Sequence, residues 1–193
     1  GDVYKRQTSY TPYQAEIAQG RLEALFYFHT FVCELTGFSV ANASLLDEGT
    51  AAAEAMAMSF AARKNKSSNV FLVEENVFEH TFNVLLTRAK PLGISLKRFN
   101  HKNYHNHDDV CGILIQLPGK NGKLFDPKFL VSQAHRSDIT VTAIIDPLAQ
   151  VLIKPISEFG VDIAVGSMQR FGVPMGFGGP HAAFFACSER YKR

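Results

Sequence analysis

Three short stretches of the 193-residue sequence hold residue types that could do chemistry. The first is "DEGTAAAE", residues 47–54. Gly49 and Thr50 open a helix there, and free backbone N–H groups with the helix dipole make such a turn a cup for an anion. The same residues also read as an ordinary helix start, with Thr50 as the cap and Glu54 facing solvent. No Gly-Lys-Ser/Thr follows, so this is not a nucleotide P-loop. The second is Asp146, which ends the apolar run "TVTAIID". A carboxylate at a buried strand end is costly unless paired. Its partner is either the cationic ring nitrogen of a cofactor or the N–H groups of a helix starting at Pro147. The third is "GSMQRFGVPMGFGGP", residues 166–180, with five glycines and two prolines. It either brings backbone close to a neighbouring surface or forms a turn-rich crossover without a ligand.

The surrounding pattern predicts the elements that must position these stretches. A long helix spans 14–36, with Pro12 before it and Gly37 as its stop. Ala24, Leu25, Phe28, Phe31, Val32 and Leu35 form its apolar face. A loop over 38–50 leads to an Ala-rich helix over 51–64. A strand over 69–75, a helix over 78–93 and a weaker strand over 94–100 follow. Residues 110–118 form a strong buried strand. A helix spans 125–138, with Asp126 as N-cap and Pro127 at its first position. Residues 139–146, 161–166 and 181–187 complete the strands. Short apolar strands alternating with helices predict an α/β fold, a mostly parallel sheet with helices on both faces. Ligands of such sheets bind at the carboxyl ends of the strands, where all three stretches fall.

Composition removes several function classes. Hydrophobic residues are 46% and charged residues 20%, enough for one sizeable core. A net charge of +2 gives no footprint for nucleic acid or an anionic membrane. The sequence holds no run of about 18 apolar residues that could span a membrane. Cys33, Cys111 and Cys187 lie far apart in apolar company, which excludes a disulfide framework or zinc site and points to a reducing compartment. His101, His105 and His107 match no metal-ligand spacing, so their polar segment reads as a solvated loop. Residues 1–7 are polar, unlike the residues after them, and read as a non-native scar. The domain therefore runs over 8–193, with both ends cut from something longer.

An anion cup and a strand-end aspartate together suggest a pyridoxal phosphate enzyme. Such an enzyme needs a lysine to hold the aldehyde as a Schiff base. The lysine should follow "VDIAV", yet Gly-Ser-Met-Gln-Arg stands there. No lysine occurs between Lys154 and Lys192, and Lys154 precedes the strand. The nucleophile is missing.

The stretches "YTPYQAEIAQGRLEALFYF", "ELTGFSVANASLLDEGTAAAEAM" and "VGSMQRFGVPMGFGGPHAAFFA" resemble the P-protein family of the glycine cleavage system, from about Thr8 to the end. The stretch "LKRFNHKNYHNHDDVCG" departs more. The resemblance implies a three-layer fold-type-I pyridoxal-phosphate-dependent transferase domain. It implies decarboxylation of glycine, with release of CO2 and transfer of the aminomethyl group to the lipoyl arm of H-protein. The family has two homologous halves, and this chain resembles the first. Only the second carries the Schiff-base lysine, whose position falls here on Gln169. Pyridoxal phosphate is then bound by the other half, a partner in the same chain or a second subunit. Gly49, Thr50 and Asp146 become vestigial cofactor positions. Tyr10, Thr11, Tyr13, Gln14, Gly178, Gly179 and His181 become candidates for lining the interface and the partner's active site. The resemblance also implies a bacterial cytoplasm, or a mitochondrion in a eukaryote. Two other readings stay open: a purely structural partner of the active half, and an autonomous pyridoxal enzyme using Lys154.

Overall fold

A computed structural model describes residues 14, 16, 18–42, 45–105 and 107–192. In chain order its main elements are α1 (Gln19–Thr36), β1 (Val40–Ala41), α2 (Glu48–Ala62), β2 (Val70–Glu74), α3 (Glu79–Ala89), β3 (Ser95–Phe99) and β4 (Val110–Leu117). Then come α4 (Lys128–Arg136), β5 (Thr140–Ile145), α5 (Pro147–Gln150), β6 (Ile163–Ser167) and β7 (Ala183–Cys187). The strands form one sheet in the order β1-β7-β6-β5-β4-β2-β3. Pairs from β3 to β6 are parallel, while β7 and β1 run antiparallel.

The apolar runs of the sequence become strands buried on both faces. In β4, Ile113, Ile115 and Leu117 face one helical layer and Cys111 and Leu114 the other. Strand β5 alternates likewise, with Val141, Ala143 and Ile145 against Ile144. One outer layer holds α2 and α3, whose Ala51, Ala52, Ala55, Met56 and Leu85 are fully buried. Alanines let α2 lie close to the sheet. The other layer takes Val32 of α1 and Leu130, Val131 and Ala134 of α4.

Several expectations shift. Helix α1 begins at Gln19, five residues later than the pattern predicts. Of its expected apolar face only Val32 is buried; Phe28 and Leu35 are half-buried, and Ala24, Leu25 and Phe31 are exposed. The helix is apolar on more than one side, and this chain covers only one of them. Helix α2 starts at Glu48, inside the expected loop, because Asp47 caps it. The expected loop also contains the two-residue strand β1. Strand β7 runs antiparallel to β6, and the connection between them holds 3-10 turns and no crossover helix. Helix α4 starts at Lys128, so Pro127 and not Asp126 is its N-cap and no side chain caps it; Asp126 still accepts the Lys128 N–H at 2.9 Å from one residue further back.

At the amino end of the sheet, buried Asp162 accepts from the Val141 N–H at 2.8 Å. It also pairs with His135 at 2.9 Å and Arg190 at 3.1 Å. That network ties β5, β6, α4 and the chain's last turn together. It lies away from the end where ligands bind.

Candidate functional site

A cavity of about 500 Å³ opens where β4, β5 and β6 end and α2 begins. Glu48, Gln116, Asp146, Ser167, Gln169 and Arg170 contribute its polar wall. Phe78, Ile145, Val173 and Met175 contribute its apolar one. The strand-end aspartate and the missing-lysine position thus share one cleft with Glu48, the first residue of the predicted cup's helix, while Gly49 and Thr50 do not line it.

The cup is filled by its own residues. Asp47, not Thr50, is the N-cap: its Oδ1 accepts the Thr50 N–H at 2.7 Å and the Thr50 hydroxyl at 2.7 Å. The Asp47 N–H in turn reaches the Thr50 hydroxyl at 3.2 Å. The two Thr50 donors are thus engaged within the turn. Burial would raise the Asp47 carboxyl, but the Thr50 hydrogen bonds, with His181 and His80 nearby, hold it below its ordinary range. Glu48 sits in the first turn, pushed up to about 7 by burial and by repulsion from Asp146 and Asp47. The Gln116 amide pulls it partly back, while the buried Thr81 hydroxyl makes no hydrogen bond of normal geometry. The Gln116 amide, 4% exposed, holds Glu48 at 3.4 Å through its nitrogen and accepts the Phe78 N–H at 2.9 Å through its oxygen.

Asp146 has both kinds of partner. Its Oδ1 accepts the Leu148 N–H at 2.9 Å, capping α5. Its Oδ2 pairs with the Arg170 guanidinium at 3.1 Å. A guanidinium from the next strand end therefore stands where a cationic cofactor ring was one expectation. Gln169 follows β6 in a 3-10 turn, its N–H on the Ser167 hydroxyl at 3.3 Å. Gly166 has a packing reason: a Cβ there would run into the Ile145 carbonyl and lie 2.8 Å from Phe184. Strands β5 and β6 can therefore sit this close only with glycine at that position.

The other predicted residues scatter. Tyr10, Thr11 and Tyr13 lie outside the described residues, and Gln14 is half-buried in irregular chain. Gly178 and Gly179 lie in an exposed loop; a Cβ on Gly178 would meet nothing, and one on Gly179 would strike the Pro174 carbonyl. His181 is exposed, close enough to Asp47 to influence its charge. Lys154 is exposed and is not part of the cleft wall. Sequence reasoning missed Glu48, Gln116 and Arg170. An acid at a first helical turn reads as a favourable dipole contact, and only its burial makes it unusual. Arg170 adjoins the watched Gln169, yet its reach to Asp146 is a cross-strand contact.

Among the described residues no group of three His, Cys, Asp or Glu side chains is placed to hold a metal ion. His101 instead stacks flat on Phe125 at 3.9 Å and contacts the fully buried Glu74 at 3.1 Å. Among the described residues no helix is long and apolar enough to cross a membrane.

The residues present do not fit pyridoxal phosphate. The acidic Glu48 stands at the phosphate place with the Thr50 donors behind it given to Asp47, Arg170 already pairs with the ring-nitrogen aspartate, and an amide stands at the lysine position.

Layer order, sheet topology and cleft position define the class: the α/β large domain of fold-type-I pyridoxal-phosphate-dependent transferases. An O-acetylhomoserine sulfhydrylase from Wolinella succinogenes shares this fold, with a TM-score of 0.64 and 15% identity. It covers 86% of this chain and 46% of its own. The model of the glycine cleavage system P-protein matches residues 4–193, and the chain belongs to that family. It is 62% identical over 186 residues to a glycine dehydrogenase (decarboxylating) of Prochlorococcus marinus (strain NATL1A), covering 96% of this chain. The chain spans only 19% of that relative's length. A crystal structure of glycine decarboxylase (P-protein) in inhibitor-bound form superposes with a TM-score of 0.86 at 34% identity. That match covers 96% of this chain and 43% of the other.

Proposed function

We propose that this chain is the part of a glycine decarboxylase that supports the catalytic site without carrying its nucleophile. The observation that carries the reading is the 62% identity, over nearly the whole chain, to a glycine dehydrogenase (decarboxylating). Residues 8–193 are then a partial large domain of a longer bacterial cytoplasmic enzyme. In that enzyme, pyridoxal phosphate bound by the homologous half supplies the electron sink for loss of the glycine carboxyl as CO2. The aminomethyl group passes to the lipoyl arm of H-protein.

The residues of this chain act by shape and contact. The Phe31 and Phe171 rings meet edge to face at 5.2 Å, joining α1 and the glycine-rich loop into one surface. Phe26 and Tyr27 of the same helix and Met175 and Phe177 of the same loop are also exposed. An apolar surface of this kind needs cover, and the homologous half is the proposed cover. Tyr10, Thr11, Tyr13, Gln14, Gly178, Gly179 and His181 are assigned to that interface, where hydroxyl and amide groups can reach the partner's substrate.

In the whole enzyme, Tyr13→Phe and Gln14→Ala are expected to lower kcat with unchanged thermal stability. Unchanged turnover would favour a purely structural role. Borohydride reduction of the holoenzyme followed by peptide mapping is expected to place the cofactor outside residues 1–193. A label on Lys154 would instead reveal an autonomous site.

A further inference from the structure

We infer that the charges of its own cleft bar the cofactor from this half, so that Glu48 and Arg170, and not the lost lysine alone, decide which of two similar halves is loaded. The inference rests on the proposed division of labour between the halves.

Space is not the barrier. The cavity of about 500 Å³ lies within the ordinary range for small-ligand sites, roughly 300–1,000 Å³. It keeps an apolar wall of Phe78, Ile145, Val173 and Met175. A flat aromatic ring has a surface to rest on.

Charge and occupied partners together are the barrier at both ends: Glu48, pushed up to about 7 by burial, is ionised in a large share of molecules at neutral pH, and a dianion beside it would have to force its protonation. A phosphate monoester carries about −1.5 to −2 at neutral pH. It would enter beside Glu48, the residue of the helix start that lines the cavity, and find the Thr50 N–H and hydroxyl behind it already given to Asp47. Glu48 is half-buried and held by the Gln116 amide at 3.4 Å, so moving it aside costs that contact. At the other end the two Asp146 oxygens are taken by the Leu148 N–H and by Arg170. A protonated ring nitrogen would have to displace a guanidinium that is already charged. Arg170 is 60% exposed and so is removable without opening the core.

The test uses the whole enzyme with its resident cofactor fixed by borohydride, so that the catalytic half is blocked. The probe is 4-deoxypyridoxine phosphate, which has the ring nitrogen and the phosphate but no aldehyde and therefore needs no lysine. Equilibrium dialysis of the reduced wild type is expected to show no second site. Glu48→Gln with Arg170→Ala is expected to gain one equivalent, with at least about tenfold tighter binding than either single variant. Each change is mild: the first keeps size and hydrogen bonds, and the second trims a mostly exposed side chain. Wild type binding the probe as tightly as the double variant overturns the inference, and so does a folded double variant that gains nothing. A second set keeps the inference exposed if the double variant is unstable: Gln169→Lys alone, and Gln169→Lys with Glu48→Gln, each treated with pyridoxal phosphate and borohydride. Equal labelling of the peptide spanning position 169 in both would mean that the lysine alone decides. A resident cofactor mapped to residues 1–193 would defeat the assignment of this half instead, whatever the dialysis gives.

Discussion

Glu48→Gln should make the domain more stable at neutral and alkaline pH and leave it unchanged in acid. The Glu48 carboxyl titrates near 4.5 in an unfolded chain and at about 7 when folded, chiefly because it is buried. At 1.36 kcal/mol per pH unit, that gap corresponds to about 3 kcal/mol. The sign follows from proton binding. Between these two values the folded state holds a proton that the unfolded state has lost, so stability falls as pH rises. Below about pH 4.5 both states are protonated and the carboxyl contributes in full as a neutral hydrogen-bonding group. Above about pH 7 the ionised group sits against Asp146 and Asp47 and the whole penalty is present. Glutamine has nearly the same shape and no charge, so it escapes the penalty. The quantity to measure is the difference in unfolding free energy between variant and wild type, by urea titration at pH 4.5 and pH 8. Other titrating groups cancel in that difference. It should widen by up to about 3 kcal/mol, or roughly 6–12 °C in Tm for a chain of this size. A difference that stays constant across that pH interval would refute the reasoning, because it would mean that Glu48 is solvated or paired when folded.

Two further substitutions test the packing behind the cleft. Gly166→Ala should cost about 3 kcal/mol or more, since the new methyl group meets a backbone carbonyl and the Phe184 ring with no room to yield; a thermal melt within 1 °C of wild type, a shift well under the ~2 °C expected per kcal/mol, would show that β5 and β6 can part. Asp162→Ala should cost about 1–3 kcal/mol, because it leaves the buried Val141 N–H without its acceptor while the part-exposed His135 and Arg190 turn to water; urea unfolding with a midpoint near wild type would show that water reaches the Val141 N–H as well.

Much of the architecture follows from the sequence alone. The apolar runs from 110 and 139 onward allow only strands covered on both faces, and the alanines of α2 require a helix pressed on a sheet. The substitution of Gln169 for a lysine is also complete in the sequence, because an amide cannot become an amine in any fold. The glycine-rich stretch locates the end of β6 but does not say which of its glycines is needed. The neighbouring Ile145 carbonyl singles out Gly166. Tertiary structure alone decided the rest. Helix α1 reads as having one buried face, and only the placement of the other layers shows how much of it stays uncovered. Asp47, Glu48, Asp146 and Arg170 are ordinary polar residues 24 to 123 positions apart or side by side in the chain. Their charges acquire meaning only when β5 and β6 end, and α2 begins, at one cleft. Local pattern fixes which residues turn inward, whereas Coulomb and desolvation energies depend on distances that the folded chain alone supplies.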